Sequence, residues 1–222
     1  MGNSIRVMVE RGKKKRTVAC AFDWSGWDRS AKTEEDALRV LEAYRPRHAK
    51  VAALAGLSDE FLAARAVTVG ERLEGIGMTD YYGLSGRSAG PEQDQMTAPE
   101  CERKVALLRA SWQYFDDVAA LVSPELQKGP RGGGRDRDEI VRHVNGTEIV
   151  ENAKKVGVRS SADAWRDPNE LRVHRDAICA GIRETNARGA AAVSWWTVQF
   201  FIRRCAWHML DHAWEMEDRD LS

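Results

Sequence analysis

The sequence predicts an α+β protein, with a small β-α-β domain in the first half and a four-helix bundle in the second. Three observations carry that expectation. Short alternating apolar runs, bounded by glycine and basic residues, occupy residues 1–86. Four longer stretches with apolar residues at helical spacing occupy residues 98–222. Between them, residues 83–95 are rich in glycine, serine and other polar residues, the composition of a linker. The 222-residue chain, 43% hydrophobic and 31% charged, has the balance of a soluble globular protein.

Ile5 to Glu10 reads as the first strand and Thr17 to Trp24 as the second, because Val18, Cys20 and Phe22 share one parity. The run Arg11-Gly12-Lys13-Lys14-Lys15-Arg16 between them reads as a solvated hairpin turn. Thr33 is placed as an N-cap, with Glu34, Glu35 and Asp36 in a favourable first turn. Ala37, Leu38, Leu41 and Tyr44 continue at helical spacing until Pro46, and a second helix should run from Pro46 through Ala55 to Gly56. Val67 to Glu74 and Met78 to Leu84 predict two more strands, broken around Gly75 and Gly77.

In the second half, helix one starts near Pro99 and carries Val105, Leu108, Trp112, Phe115 and Val122 on its apolar face. The stretch Gly129 to Gly134 breaks the pattern. Helix two runs from Asp136 to Val156, with Ile140, His143, Thr147 and Val150 on one stripe and Gly157 as C-cap. After a loop through Trp165, helix three starts near Pro168. It carries Leu171, His174 or Arg175, Ile178, Ile182 and Thr185, and stops at Gly189. Helix four, Trp196 to Glu217, turns Val198, Phe201, Ile202, Cys205, Met209 and His212 inward.

Charge and composition exclude several classes. With 34 basic and 34 acidic residues the net charge is zero, so no broad nucleic-acid surface is expected. No apolar run approaches the roughly 20 residues that span a bilayer, so no membrane partner is expected. Met1 to Val9 lacks the apolar centre of a signal peptide, which points to the cytoplasm. Cys20, Cys101, Cys179 and Cys205 show no C-x-x-C spacing and read as reduced core residues. Gly132-Gly133-Gly134 lacks the Lys-Ser/Thr of a phosphate loop, and no G-x-S-x-G is present.

The residues with metal chemistry are histidines. His208 and His212 are four apart, so they stack on one helix face and can grip one ion without straining the backbone. His143 falls on the apolar stripe of helix two. Three imidazoles with an open fourth position describe a catalytic rather than a structural site for zinc, nickel or iron. Such an ion lowers the pKa of water or binds a thiolate. The plainer alternative makes all three ordinary core or surface residues.

Asp211 and Glu215 read as solvated acids of the terminal run, or as groups that orient an imidazole. Asp116 and Asp117 read as surface residues, and His48, beside Arg45 and Arg47, as exposed. His174 reads as structural. Trp195, Trp196, Trp207 and Trp214 crowd helix four and read as packing groups rather than a pocket lining.

Arg137-Asp138-Glu139-Ile140-Val141-Arg142-His143-Val144 with Glu148, and Arg204-Cys205-Ala206-Trp207-His208-Met209-Leu210-Asp211-His212-Ala213-Trp214-Glu215, resemble the DinB/YfiT-like superfamily. The resemblance covers residues 98–220. It implies a four-helix bundle whose metal is held by one histidine of the second helix and an H-x-x-x-H pair of the last, here His143, His208 and His212. It also implies a divalent metal, commonly nickel or zinc, and either hydrolysis or thiol transfer with a low-molecular-weight thiol co-substrate. Thr17 to Leu41 is faintly similar to the HicB-type antitoxin fold, through the Gly26 turn and the helix start at Thr33.

Two functional expectations follow. The first is a metal-dependent thiol S-transferase or hydrolase acting on a small molecule. The second is a non-catalytic interaction protein, with a structural or metal-sensing bundle and an N-terminal domain that binds a partner. Helix faces of such bundles also suit a homodimer.

Overall fold

The computed structural model describes residues 4–130, 132–189 and 196–222. The fold is α+β, with a four-stranded mixed sheet near the N-terminus and helices mostly towards the C-terminus. Strand β1 (Ser4–Arg11) is internal to the sheet and buried from Val7 through Glu10. β2 (Thr17–Cys20) pairs antiparallel with it, and β3 (Asp28–Ala31) adds antiparallel to β2. β4 (Ala66–Glu74) lies parallel to β1 on its other side, giving the order β3-β2-β1-β4. A parallel pair needs a long crossover. Helices α1 (Glu34–Ala43), α2 (Arg45–Leu54) and α3 (Ser58–Ala63) supply it.

The helix starts follow their sequence signals. Thr33 caps α1 by accepting from the Asp36 amide at 3.1 Å. Pro46 stands in the first turn of α2, where a missing N–H costs nothing.

Three expectations for this half are corrected. The second strand stops at Cys20, because the chain turns through Trp24 and Gly26 before β3. Gly26 has φ +91°, and a Cβ there would lie 2.7 Å from the Leu210 side chain and 3.0 Å from the Ala206 backbone, so only glycine lets this turn approach the last helix. Met78 to Leu84 is not a strand. Gly77–Tyr82 forms a short helix, α4. Its Thr79 hydroxyl accepts from the Ile76 amide at 3.0 Å and donates to Glu10, and Asp80 accepts from the β1–β2 hairpin amides. These tertiary anchors outweigh the strand preference of Tyr81 and Tyr82.

Residues 83–95 are not a free linker either. The buried Glu10 carboxylate accepts from Ser85 Oγ at 2.8 Å, the Gly86 amide at 2.9 Å and the Arg87 amide at 3.1 Å. A short 3-10 turn, Gly90–Gln93, then buries Glu92.

The second half holds α5 (Ala98–Leu121), α6 (Arg137–Thr147), α7 (Pro168–Arg188) and α8 (Val198–Asp218). Thr97 and Glu100 form a reciprocal cap at the start of α5. Leu108, Phe115, Ile140, Ile178, Ile182, Phe201 and Met209 meet in one apolar core. The halves share packing, since Val51 of α2 joins that core and Leu107 of α5 joins the core under the sheet.

α6 does not run uniformly to Val156. It widens into a π-type turn at Glu148–Asn152 and tightens into a 3-10 turn at Ala153–Val156, ending at Gly157 with φ +78°. The inward stripe is Ile140, Val144 and Glu148, at ordinary i+4 spacing. Val150, expected inside, is exposed, and His143 and Thr147 lie at the margin. Among the described residues, no helix is long and apolar enough to cross a membrane.

Candidate metal centre

α6 and α8 bring His143, His208 and His212 together. One ring nitrogen of each lies within 4.8 Å of the other two. The ring centroids are 5.0 to 5.2 Å apart and every pair is close to perpendicular. His208 Nε2 stands 3.3 Å from His143 Nε2. Metal–nitrogen bonds of about 2.05 Å in a tetrahedral shell place ligand nitrogens about 3.3 Å apart. That spacing and the all-imidazole donor set both fit a borderline ion such as zinc or nickel.

The histidines are part-exposed. Burial first, then the rings of His212 and His143, pushes the His208 imidazole well below its usual range. Burial and His212 also lower His143. Both shifts favour the neutral ring, which is the form that ligates.

His212 Nδ1 lies 2.7 Å from Glu215 Oε2, and the other oxygen of Glu215 accepts from Arg219 at 2.6 Å. A carboxylate accepting from Nδ1–H leaves Nε2 as the lone-pair atom of the neutral ring. Glu215 is thus a positioning residue for His212 and not a solvated acid, as the terminal charge run had suggested. Asp211 is also paired, accepting from Arg29 at 2.7 Å across the two halves. Its ring-orienting alternative is not realised.

Other candidates lie elsewhere. His48 is fully buried rather than exposed. It stacks on Trp27, with centroids 5.2 Å apart, and touches the edges of Trp24 and Phe61. Among the described residues neither ring nitrogen has a hydrogen-bond partner, and burial drives its pKa down to about 3. Asp116 is exposed and accepts from Arg175, and Asp117 is exposed. Trp214 is buried under Arg29, whose guanidinium is 4.3 Å from its ring, while Trp196 and Trp207 are part-exposed. Trp195 lies outside the described residues.

Two polar clusters had no sequence expectation. Arg203 is fully buried on α8. Its three nitrogens donate to Glu92 at 2.8 and 3.0 Å, to Asp28 at 2.9 Å and to the Arg87 carbonyl at 2.8 Å. The one available signal was an arginine between the core positions Ile202 and Cys205.

The second cluster surrounds the π-type turn. Glu148 accepts from Trp112 Nε1 at 2.5 Å through one oxygen, while the other has no hydrogen-bond partner. That free oxygen stands 4.0 Å from His174 Nε2, whose opposite nitrogen meets Ser160 Oγ at 2.8 Å. Burial raises the Glu148 carboxyl to about 7, against the lowering effect of Arg175.

A surface cleft of about 680 Å³ lies away from the histidines and is lined by Arg6, Asp23, Trp24, Arg103 and Lys104 among others. Comparison of the chain with protein-family models, with curated proteins and with solved structures finds no match.

Proposed function

We propose that the protein is a metal-dependent enzyme of the DinB-like four-helix-bundle type, in which His143, His208 and His212 hold a divalent zinc, nickel or iron ion. The observation that carries this reading is the convergence of three imidazole nitrogens within 4.8 Å, two of them 3.3 Å apart. When bound, the ion supplies Lewis acidity that makes a thiol or a water nucleophilic near neutral pH.

The chain's own residues hold and orient. Glu215 fixes the His212 ring, and Arg219 fixes Glu215. The part-exposed face leaves access for a small electrophilic substrate and a low-molecular-weight thiol. Thiol S-transfer is the preferred reaction and hydrolysis the second. Residues 98–222 form the catalytic bundle on this reading, and the HicB-like residues 1–86 pack against it as a separate unit.

Elemental analysis of tag-free protein tests the proposal. About one ion per chain is expected in the wild type and in His48→Ala, and none in His143→Ala. Metal-free wild type, even after incubation with zinc and nickel, would sink it and favour the non-catalytic interaction protein. With metal present, thiol consumption against a panel of electrophiles separates transfer from hydrolysis.

A further inference from the structure

The densest run of positive charge in the chain, Arg11 to Arg16, is not an ordinary solvated turn. Asp80, within α4, accepts from its backbone amides, Lys13 at 2.9 Å, Lys14 at 3.1 Å, Lys15 at 2.8 Å and Arg16 at 3.3 Å. Successive amides converging on one carboxylate form an anion nest, here filled from within. This fixes the hairpin backbone and spends the Asp80 charge on amides instead of on the lysines. The side chains of Lys13, Lys14, Lys15 and Arg16 are exposed and have no ion pair among the described residues.

Those cations border a cleft of about 320 Å³ with Arg11 and Lys32. Glu34, the acid in its lining, is already held by Arg72 at 2.8 Å and by Arg11 at 3.4 Å. Directly after Asp80 come Tyr81 and Tyr82, which are 80% and 65% exposed, with ring centroids 5.4 Å apart. Folding thus sets two solvent-facing aromatic rings beside a pinned cationic loop, at no cost in buried charge.

We propose that this hairpin and the Tyr81–Tyr82 pair bind single-stranded nucleic acid. The cations track the phosphates and the tyrosines stack on bases. A positively charged groove with adjacent aromatic platforms is the general design for unstructured strands. The zero net charge of the chain does not oppose this, because counterion release depends on the local contacts made with phosphates. The footprint is short, and the rest of the surface adds no long-range attraction.

Fluorescence anisotropy of the full chain with labelled oligothymidylate and oligouridylate, over a range of salt, tests the proposal. With four to six phosphates neutralised, log K should fall against log salt with a slope of about −3 to −4. Substituting Lys13, Lys14 and Lys15 together by alanine should flatten the slope by about 2. Tyr81→Ala and Tyr82→Ala should each weaken binding roughly tenfold with the slope unchanged. Asp80→Ala removes a negative charge yet should weaken binding, because it unpins the loop. Thermal melts confirm that each variant remains folded.

Several outcomes would overturn the proposal. They are no binding at low salt, tighter binding by Asp80→Ala, or silent tyrosine substitutions with equal affinity for inorganic polyphosphate. Capture by phosphatidylserine vesicles without oligonucleotide binding would do the same.

Discussion

Helix α8 carries two polar clusters built to opposite rules. Arg203, towards its N-terminal end, is fully buried, and each guanidinium nitrogen has a carboxylate or carbonyl partner. His208 and His212, further along, are part-exposed and point ring nitrogens at His143 and at each other. In the first cluster every guanidinium nitrogen meets an oxygen, and among the described residues Asp28 Oδ1 is left without a hydrogen bond. In the second, imidazoles meet one another, and the 3.3 Å His208–His143 contact is an N–H···N hydrogen bond or the bite of a shared cation, according to the tautomer. A buried cation met by acids holds a fold together, whereas converging imidazoles are, on the proposed reading, a place for a cation.

The largest effect should come from breaking the Arg203 cluster. Arg203→Met leaves Asp28 and Glu92 buried without their cation, which should cost about 3–5 kcal/mol in urea denaturation. A loss under about 1 kcal/mol would make the pairing dispensable and erase the contrast.

The Glu148 cluster stands between the two, with one carboxylate oxygen satisfied and the other not. Its carboxyl, raised to about 7, keeps a proton that the unfolded chain releases near its ordinary value of 4.5. The native state binds more protons in that window, so the Glu148 contribution to stability is greatest below about 4.5 and falls as pH rises to about 7. The fall should amount to up to about 3 kcal/mol. The stability difference between wild type and Glu148→Gln should change across this window, and a constant difference would place the group among the satisfied ones.

Adding cation to the histidine cluster should stabilise it. Zinc at about a hundredfold over its dissociation constant should add about 2.7 kcal/mol to wild-type stability. His143→Ala should abolish that gain while changing metal-free stability by less than about 1 kcal/mol. Equal zinc gains in both proteins would place the binding elsewhere.

The smallest effect belongs to the positioning residue. Glu215→Gln should weaken zinc binding about 10- to 100-fold, read by competition with a chelating dye, with the metal-free melt nearly unmoved. Unchanged affinity would reduce the Glu215–His212 contact to a surface ion pair.

Much of the helical half was legible. Pro99, Pro168, Gly157 and Gly189 mark helix ends by local chemistry, and the structure uses them as such. The proximity of His208 and His212 was legible because helical periodicity fixes neighbours four apart. The core stripe of α6 was not, because it takes in the polar Asn145 and Glu148, and Val150 falls in a π-type turn that no local residue announces. His48 was misplaced because its arginine neighbours, Arg45 and Arg47, look solvated. Of these three residues α2 turns only His48 inward, onto Trp27. Segment 83–95 has the composition of a loop, yet Glu10 and Arg203 draw it into the interior.

The sequence by itself determined what local rules govern: the helix starts and stops, the hairpin and the spacing of one histidine pair. Tertiary structure alone decided the α4 helix, the burial of His48, the Arg203 and Glu148 clusters and the approach of His143 to α8. Each of these depends on groups tens of residues apart. Whether a polar side chain faces water, a counter-charge or another lone pair is settled only when distant elements pack, and that environment sets its charge, its partners and its chemistry.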